Sequence, residues 1–236
     1  YIRRGGAHLL DLINEVLDIA RIESGNLAMS LEPVEVREVL ADVVALMRPM
    51  AERRSIDIEA SAADCDGFVR ADRQRLKQVL INLVSNAVKY NRDHGRVVVA
   101  CGAGSSAERL RITVEDTGAG LTEAQLARLF TPFDRLGAET TETEGTGMGL
   151  ALSKGLVTTM GGAISATSRP GEGSRFMIEL DVADRPEEPR VAAPLGGQAV
   201  LPASERTVLY IEDNTASLRL MERILSRRRG YGLLTS

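Results

Sequence analysis

Four polar side chains recur at helical spacing within QVLINLVSNAVKY, residues 78–90. They are Asn82, Asn86, Lys89 and Tyr90, and their spacing of i, i+4, i+7 and i+8 places them on one face of a helix. An amide oxygen suits a hard cation such as Mg²⁺, an ammonium group suits phosphate oxygens, and a phenol ring offers a flat surface to a base or a ribose. The face is therefore a candidate nucleotide site. For this helix alone, a plain solvated face is an equally good interpretation.

A carboxylate and a glycine turn follow the β-branched segment RLRITVED. Asp116 ends that segment, and Gly118 and Gly120 follow it in DTGAG. Glycine lets a backbone approach a ligand closely, and a carboxylate can accept hydrogen bonds from the exocyclic amine of adenine. Taken alone, a DTG sequence is more often a simple turn, so this motif gains weight only beside the others.

A third motif, GTGMGL at residues 145–150, ends a Glu-, Thr- and Gly-rich stretch that begins near Pro132. Backbone amides at a helix start favour phosphate, and a stretch of this length without periodicity is typical of a mobile lid. Its candidate binding residues are Gly145, Thr146, Gly147, Gly149 and Leu150. The chain has no GxxxxGK[ST] sequence, which excludes a P-loop.

Hydrophobic periodicity predicts the elements that must position these motifs. Helices are predicted over about residues 5–24, 36–53, 73–91 and 149–160, and strands over 56–60, 96–102, 109–116, 163–168 and 174–182. Asp72 is the predicted N-cap of the helix that carries the asparagines. Because helices and strands interleave in an irregular order, the pattern favours a two-layer α/β sandwich over a doubly wound parallel sheet.

Composition excludes several classes of protein. The 236 residues are 44% hydrophobic and 26% charged, with a formal net charge of −4. This balance gives no polyanion-binding signature, so no direct nucleic-acid binding is expected. No apolar run reaches the roughly 18–20 residues that cross a bilayer and no signal peptide opens the chain, so a cytoplasmic location is expected. Cys65 and Cys101 lack metal-ligand spacing and are expected to be buried thiols in a reducing compartment.

The composition changes after residue 183. Residues 184–205 are rich in Pro, Ala, Gly and charged side chains without periodicity, which is typical of a linker. TVLYI at 207–211 is a predicted strand with Glu212 and Asp213 at its end, and apolar spacing from Leu218 predicts a following helix. This last unit is too short to bury a core of its own.

In this order, the motifs resemble the ATP-binding catalytic domain of sensor histidine kinases, within the GHKL ATPase superfamily. They correspond to the N box NLVSNAVKY, the first glycine box DTGAG, the F box LFTPFDR, the second glycine box GTGMGL, and GEGSRF at 171–176. The resemblance covers about residues 31–182. It implies the GHKL (Bergerat) ATP-binding fold, with ATP and Mg²⁺ as ligands.

The resemblance also implies roles for residues of the N box. Asn86 would ligate the magnesium ion that bridges the ATP phosphates, with Asn82 and Lys89 beside those phosphates. Tyr90 would lie against the nucleoside.

Further roles are implied at the adenine end of the site. Asp116 would recognise adenine, Gly118 and Gly120 would shape the base pocket, and the Ser174 hydroxyl would contact the adenine end.

The glycines of the second glycine box would form the hinged lid. Phe130 and Phe133 would anchor this lid, although plain core aromatics are an equally good interpretation of both.

The flanking segments resemble parts of other domains of a hybrid kinase. The resulting division is 1–25, the second helix of the dimerisation and histidine-phosphotransfer hairpin; 26–183, the ATP-binding domain; 184–206, the linker; and 207–236, the start of a receiver domain. The implied partners are a second copy paired through the hairpin, the phosphoacceptor histidine domain, and a receiver domain. Glu212 and Asp213 resemble the magnesium-binding acid pair of a receiver.

One departure bears on the reaction. Hydrolytic GHKL members carry a glutamate four residues before the magnesium asparagine, and here that position is Asn82, so no general base for hydrolysis stands there. Transfer of the γ-phosphoryl group to a histidine is therefore preferred over hydrolysis. Neither His8 nor His94 has the His-Glu/Asp-x-x-x-Pro context of the family's acceptor, which is expected upstream of Tyr1. An ATP-binding sensing or scaffold module without transfer, and a hydrolytic ATPase, remain the alternatives.

Overall fold

The computed structural model describes residues 2–60, 65, 67–134, 136, 146–186, 206–210, 221, 224–225 and 231–235. The chain divides into two compact units, Tyr1–Pro186 and Glu187–Ser236. In the part of the chain that is described, no helix is both long enough and apolar enough to span a membrane.

In the first unit the described elements follow one another as α1 (Ile2–Glu23), β1 (Glu32–Glu35), α2 (Val36–Glu52), β2 (Asp57–Ala60), β3 (Phe68–Ala71), α3 (Arg73–Lys89), β4 (Arg96–Ala103), β5 (Arg109–Asp116), α4 (Glu123–Arg128), α5 (Gly149–Thr159), β6 (Ala163–Arg169) and β7 (Gly173–Ala183). The strands form a mixed sheet in the order β1-β3-β7-β5-β4-β2, with β6 paired to β7. Only the β2 and β4 pair in this sheet is parallel among the described residues. Helices α2, α3 and α5 share one buried apolar core with the sheet, which confirms the predicted two-layer α/β sandwich.

Helix α3 forms where its sequence predicts it. The Asp72 carboxylate accepts a hydrogen bond of 3.1 Å from the backbone amide of Arg75, which satisfies a free donor of the first turn. The apolar side of the helix is buried; its members are Leu76, Val79, Leu80, Leu83, Val84, Ala87 and Val88. The opposite side, which carries the asparagines, is left to face α5.

Helix α1 ends at a glycine whose backbone is left-handed. Gly25 has φ of +68°, and its amide donates to Ile22 O at 3.0 Å while the amide of Asn26 donates to Arg21 O at 2.9 Å. These two bonds define a Schellman motif, which glycine adopts without steric cost. The helix end predicted near residue 24 is confirmed.

Strand β3 and helix α4 were not predicted. Strand β3 has four residues, too few for alternation to distinguish it from a loop, and it forms because β1 and β7 flank it. Helix α4 is a six-residue helix whose start is held by a capping box between Thr122 and Gln125. Tertiary pairing and a local cap, rather than periodicity, account for both.

In the second unit, β8 (Arg206–Tyr210) pairs in parallel with β9 (Tyr231–Thr235). Strand β8 agrees with the strand predicted at 207–211. Glu212, Asp213 and Leu218 lie outside the described residues, and so does most of the predicted helix.

The prediction of free cysteine thiols is wrong. Cys65 and Cys101 form a disulfide, with their Cα atoms 5.0 Å apart across a sequence separation of 36 residues. A disulfide requires Cα atoms within about 4.4–6.8 Å, and spacing along the chain carries no information on that distance. The expectation of a reducing compartment loses the support it drew from these residues.

Candidate nucleotide-binding site

The N box and the second glycine box meet where α3 packs against α5. Asn82 Nδ2 donates a hydrogen bond of 2.9 Å to Ser153 Oγ on α5, and Asn86 Nδ2 lies 3.4 Å from Asn82 Oδ1. At Gly149, a Cβ atom would collide with the Asn82 side chain. Two motifs separated by more than fifty residues of sequence are thus in direct contact, as a shared site requires.

A cavity of about 210 Å³ lies beside this contact, between α1, α3 and α5. Its lining includes Glu15, Gln78, Asn82, Ser85 and Ser153. Asn82 therefore faces a space that helix α1 also borders.

The carboxyl end of α3 is tied to the turn after β5. Asn91 is buried; its Nδ2 donates to Arg96 O at 3.0 Å, and its Oδ1 accepts from Thr117 Oγ1 at 3.1 Å. Gly118 lies directly against the backbone carbonyl of Tyr90, where a Cβ would collide. The first glycine box and the end of the N box are therefore neighbours, with the Tyr90 side chain exposed beside them and Lys89 partly buried.

Asp116 is a buried carboxylate at the end of β5, with only 6% of its surface exposed. Its Oδ1 accepts a hydrogen bond of 2.7 Å from the amide of Gly118. Burial raises the pKa of Asp116 above its ordinary value, and hydrogen bonds from the amides of Gly118 and Ser174 offset part of that rise. A carboxylate has acceptor sites beyond these bonds, so it can still receive an exocyclic amine.

Ser174 is the register partner of Asp116 on β7, so the two candidate adenine-contacting residues are neighbours in the sheet. Its hydroxyl lies 3.0 Å from Ser168 Oγ, which in turn donates to Gly173 O at 2.7 Å and accepts from the amide of Leu121 at 2.8 Å. The hydroxyl thus belongs to a network that joins β6, β7 and the first glycine box. A contact between Ser174 and adenine remains a prediction.

Gly120 has a structural role that its motif did not reveal. Its φ is +68°, and a Cβ there would collide with the backbone carbonyl of Arg169. Close packing of the loop on the end of β6 therefore demands glycine at this position, with or without a ligand.

The base of the predicted lid contacts helix α1. Thr146 Oγ1 donates to Glu15 Oε2 at 2.8 Å and accepts from the amide of Met148 at 3.1 Å. Met148 is fully buried, and Leu150 packs partly buried against the core. Gly147 has φ of +72°, as a hinge position allows. Gly145 and residues 137–144 lie outside the described residues.

The F-box phenylalanines differ in their surroundings. Phe130 is partly buried against the core, with Lys154 Nζ 5.4 Å from its ring centroid. Phe133 is 65% exposed and has φ of +63°, and its backbone lies against Gly147. Phe133 is therefore not a core aromatic, while Phe130 packs as one.

Arg54 is a site-supporting residue that the sequence did not indicate. Its Nη1 donates to the carbonyls of Val88 and Lys89 at 2.7 and 2.6 Å, and its Nη2 donates to Asn91 O at 2.7 Å. A guanidinium group thus caps the carboxyl end of α3, where carbonyls lack partners and the helix dipole favours a cation. Within the sequence, Arg54 is one of two adjacent arginines with no motif around it.

The donor chemistry of the site fits a magnesium ion that arrives with a nucleotide. Among the described residues, no three His, Cys, Asp or Glu side chains are grouped to hold a metal ion by themselves. Asn86 directs its Nδ2 to Asn82, which leaves its amide oxygen for other partners. Magnesium commonly takes one or two protein oxygens and completes its shell with phosphates and water.

Comparison with known proteins identifies the class to which this fold and site belong. Residues 71–184 match the family described as histidine kinase-, DNA gyrase B-, and HSP90-like ATPase. Sensor protein GacS of Pseudomonas syringae pv. syringae is 36% identical over 203 residues, which cover 83% of this chain and 22% of that protein. Sensory/regulatory protein RpfC of Xanthomonas campestris pv. campestris is 34% identical over 235 residues, which cover 96% of this chain and 32% of that protein.

A solved structure extends the similarity over nearly the whole chain. Full-length ShkA, crystallised in complex with AMPPNP, aligns with a TM-score of 0.68 and 32% identity, covering 99% of this chain and 46% of ShkA. Residues 71–184 therefore belong to the GHKL family of ATP-binding domains, and the chain is similar to sensor histidine kinases over most of its length. It spans less than a third of the length of the two curated relatives.

Proposed function

We propose that this chain is the ATP-binding kinase module of a hybrid sensor histidine kinase in a two-component phosphorelay. In this proposal it transfers the γ-phosphoryl group of Mg-ATP to a histidine that lies outside the chain. The observation that carries the proposal is Asn82, an amide held by Ser153 and Asn86 at the position of the hydrolytic general base. An amide cannot take a proton from water, so the site favours a nucleophile brought by another domain.

Each polar group of the site has a part in this reaction. Asn86 offers its amide oxygen to magnesium and Lys89 its ammonium to the phosphates, while Tyr90 flanks the nucleoside and Asp116 accepts from the adenine amine. Magnesium, when bound, neutralises phosphate charge. The similarity to ShkA, which was crystallised with AMPPNP, supports ATP as the ligand.

The surface of α1 supports a paired hairpin. Leu10, Ile13, Val16 and Leu17 recur at helical spacing, and each is substantially exposed, Leu10 by 59%. Such an apolar row on a helix requires a partner, and the proposal assigns it to the homodimeric four-helix bundle formed through residues 1–25.

The remaining partners follow from the same proposal. They are the domain that carries the acceptor histidine and a receiver domain, for which residues 207–236 supply the first part. The RpfC alignment supports this extension because it covers 96% of the chain. Glu212 and Asp213 remain the predicted acid pair of that receiver.

A phosphotransfer assay tests the proposal. The full chain is given γ-labelled ATP, magnesium and a separately purified helical hairpin that bears an acceptor histidine. We expect acid-labile label on the hairpin, at least about tenfold less label with Asn86→Ala, and unchanged label with Lys77→Ala, which alters an α3 residue paired with Asp42 on α2. Tight ATP binding without transfer would favour the sensing module. Steady phosphate release without the hairpin, lost in Asn86→Ala, would favour a hydrolytic ATPase.

A further inference from the structure

Ser153 is a buried hydroxyl on the helix that follows the lid. Only 2% of its surface is exposed, and it lies one helical turn after Gly149. Its Oγ accepts the hydrogen bond from Asn82 Nδ2. Buried polar groups are nearly always hydrogen-bonded, and here the bond joins α5 to α3.

The side-chain amides of Asn82 and Asn86 form a chain of hydrogen bonds that ends at Ser153, and each amide donates toward Ser153. Because Asn82 Nδ2 is directed to Ser153, Asn82 Oδ1 is left to face Asn86 Nδ2 at 3.4 Å. Because Asn86 Nδ2 donates to Asn82, Asn86 Oδ1 is the amide atom left available to a ligand. A cation is attracted by that oxygen and repelled by an amide N–H, so the observed polarity is the one a magnesium ion requires.

An acceptor at position 153 is needed to keep this polarity. If Asn86 Oδ1 binds a cation, its Nδ2 must donate to Asn82 Oδ1, and Asn82 Nδ2 must then find an acceptor. A hydroxyl oxygen provides one and a methyl group does not. Gly149 lies against the Asn82 amide, where a Cβ would strike it, so the side chain is confined on that side.

We propose that Ser153 is a positioning residue of the nucleotide site, which acts through Asn82 to present the amide oxygen of Asn86 to magnesium. The inference rests on the proposed function, since that function makes Asn86 the magnesium ligand. In this inference, α5 contributes to metal binding although none of its side chains contacts the metal.

The test is calorimetric titration of the full chain with ATP, in magnesium and in EDTA. The wild-type chain should bind ATP more tightly with magnesium. Ser153→Ala should reduce that magnesium-dependent gain about tenfold, the effect of one buried hydrogen bond, while affinity in EDTA stays nearly constant. Ser153→Thr keeps a hydroxyl and should retain most of the gain. Thr159→Ala is the matched control, since it removes a hydroxyl from the same helix that bonds only to Gly155 O.

A double-mutant cycle with Asn82→Ala separates positioning from general packing. If Ser153 acts through Asn82, Ser153→Ala should have no further effect on the magnesium-dependent gain in the Asn82→Ala background. Additive effects would overturn the inference, and so would an equal loss of affinity in magnesium and EDTA or no loss at all. Absence of magnesium-dependent ATP binding in the wild-type chain would overturn the proposed function as well. If the wild-type chain shows the magnesium-dependent gain in ATP affinity and Ser153→Ala keeps it, this inference is overturned and the proposed function stands.

Discussion

At the scale of single residues, Asp116 shows a conflict between stability and binding. Its carboxylate is buried at the end of β5, and burial is the main cause of its raised pKa. The folded chain therefore holds the Asp116 proton to a higher pH than the unfolded chain does. Ionisation of this group costs stability as pH rises from the ordinary carboxyl value through the raised one, and the full cost is present above the raised pKa.

Asp116→Asn should therefore stabilise the chain and impair its binding of ATP. Asparagine keeps an oxygen for the Gly118 amide and removes the buried charge, so we expect a midpoint temperature about 2–4 °C higher at pH 7, the shift that ~1 kcal/mol gives in a chain of this size. The difference in midpoint temperature should vanish near pH 3, where the Asp116 carboxyl is protonated and, like the Asn side chain, carries no charge. ATP affinity should fall by at least about tenfold. Thermal melts across pH and ATP titration measure both effects; a lower midpoint at pH 7, or unchanged affinity, would contradict this account.

At the scale of elements, helix α3 carries the N box and is stabilised at both ends. Asp72 caps its amino end from within the local sequence, whereas Arg54, from the turn after α2, caps its carboxyl end. The second cap holds the backbone of Lys89, next to Tyr90, in place beside the first glycine box. Distant packing thus positions two of the predicted ligand-binding side chains.

Replacement of Arg54 should loosen this end of the helix. Arg54→Ala removes donors to the carbonyls of Val88, Lys89 and Asn91, and we expect unfolding in urea to be easier by about 1–2 kcal/mol, since the side chain is part exposed. ATP affinity should fall with it. Arg53→Ala, at the exposed neighbouring position, is the control and should change stability by less than about 0.5 kcal/mol. Equal effects of the two substitutions would show that the cap contributes nothing specific.

At the scale of the first unit as a whole, α1 is docked on the ATP-binding domain by polar and apolar contacts. Asp18 pairs with Arg75 of α3 at 2.9 Å, and Glu15 accepts from Thr146 at the base of the lid. The Ile22 side chain packs against Gly155 of α5. Helix α1 therefore contacts both the helix of the N box and the helix that follows the lid.

A charge swap tests how much the ion pair contributes to this docking. Asp18→Arg places like charges together and should speed amide exchange along α1 by about fivefold, because local opening becomes easier by ~1 kcal/mol. Adding Arg75→Asp should restore slow exchange. Hydrogen exchange measured by mass spectrometry, with β5 amides as the internal reference, follows both variants. Failure of the double variant to recover would mean that packing alone holds the helix.

Much of the fold and part of the site were accessible from the sequence because the deciding interactions are local. The span and cap of α3 follow from apolar spacing and from Asp72, which lies beside the turn that it caps. The motifs themselves predicted a nucleotide site and indicated the family that the comparisons support. Short elements such as β3 were missed because four residues contain too little periodicity.

Residue patterns alone predicted the periodic helices, the longer strands and the order of the motifs, and they place an amide rather than a carboxylate at position 82. Packing in three dimensions brings Asn82 to Ser153, Arg54 to the end of α3 and Cys65 to Cys101, across separations of 71, 34 and 36 residues. Sequence patterns act over a short range, and these contacts do not. Side-chain periodicity reports which face of an element is buried, but partners far apart in sequence are set by how whole elements pack.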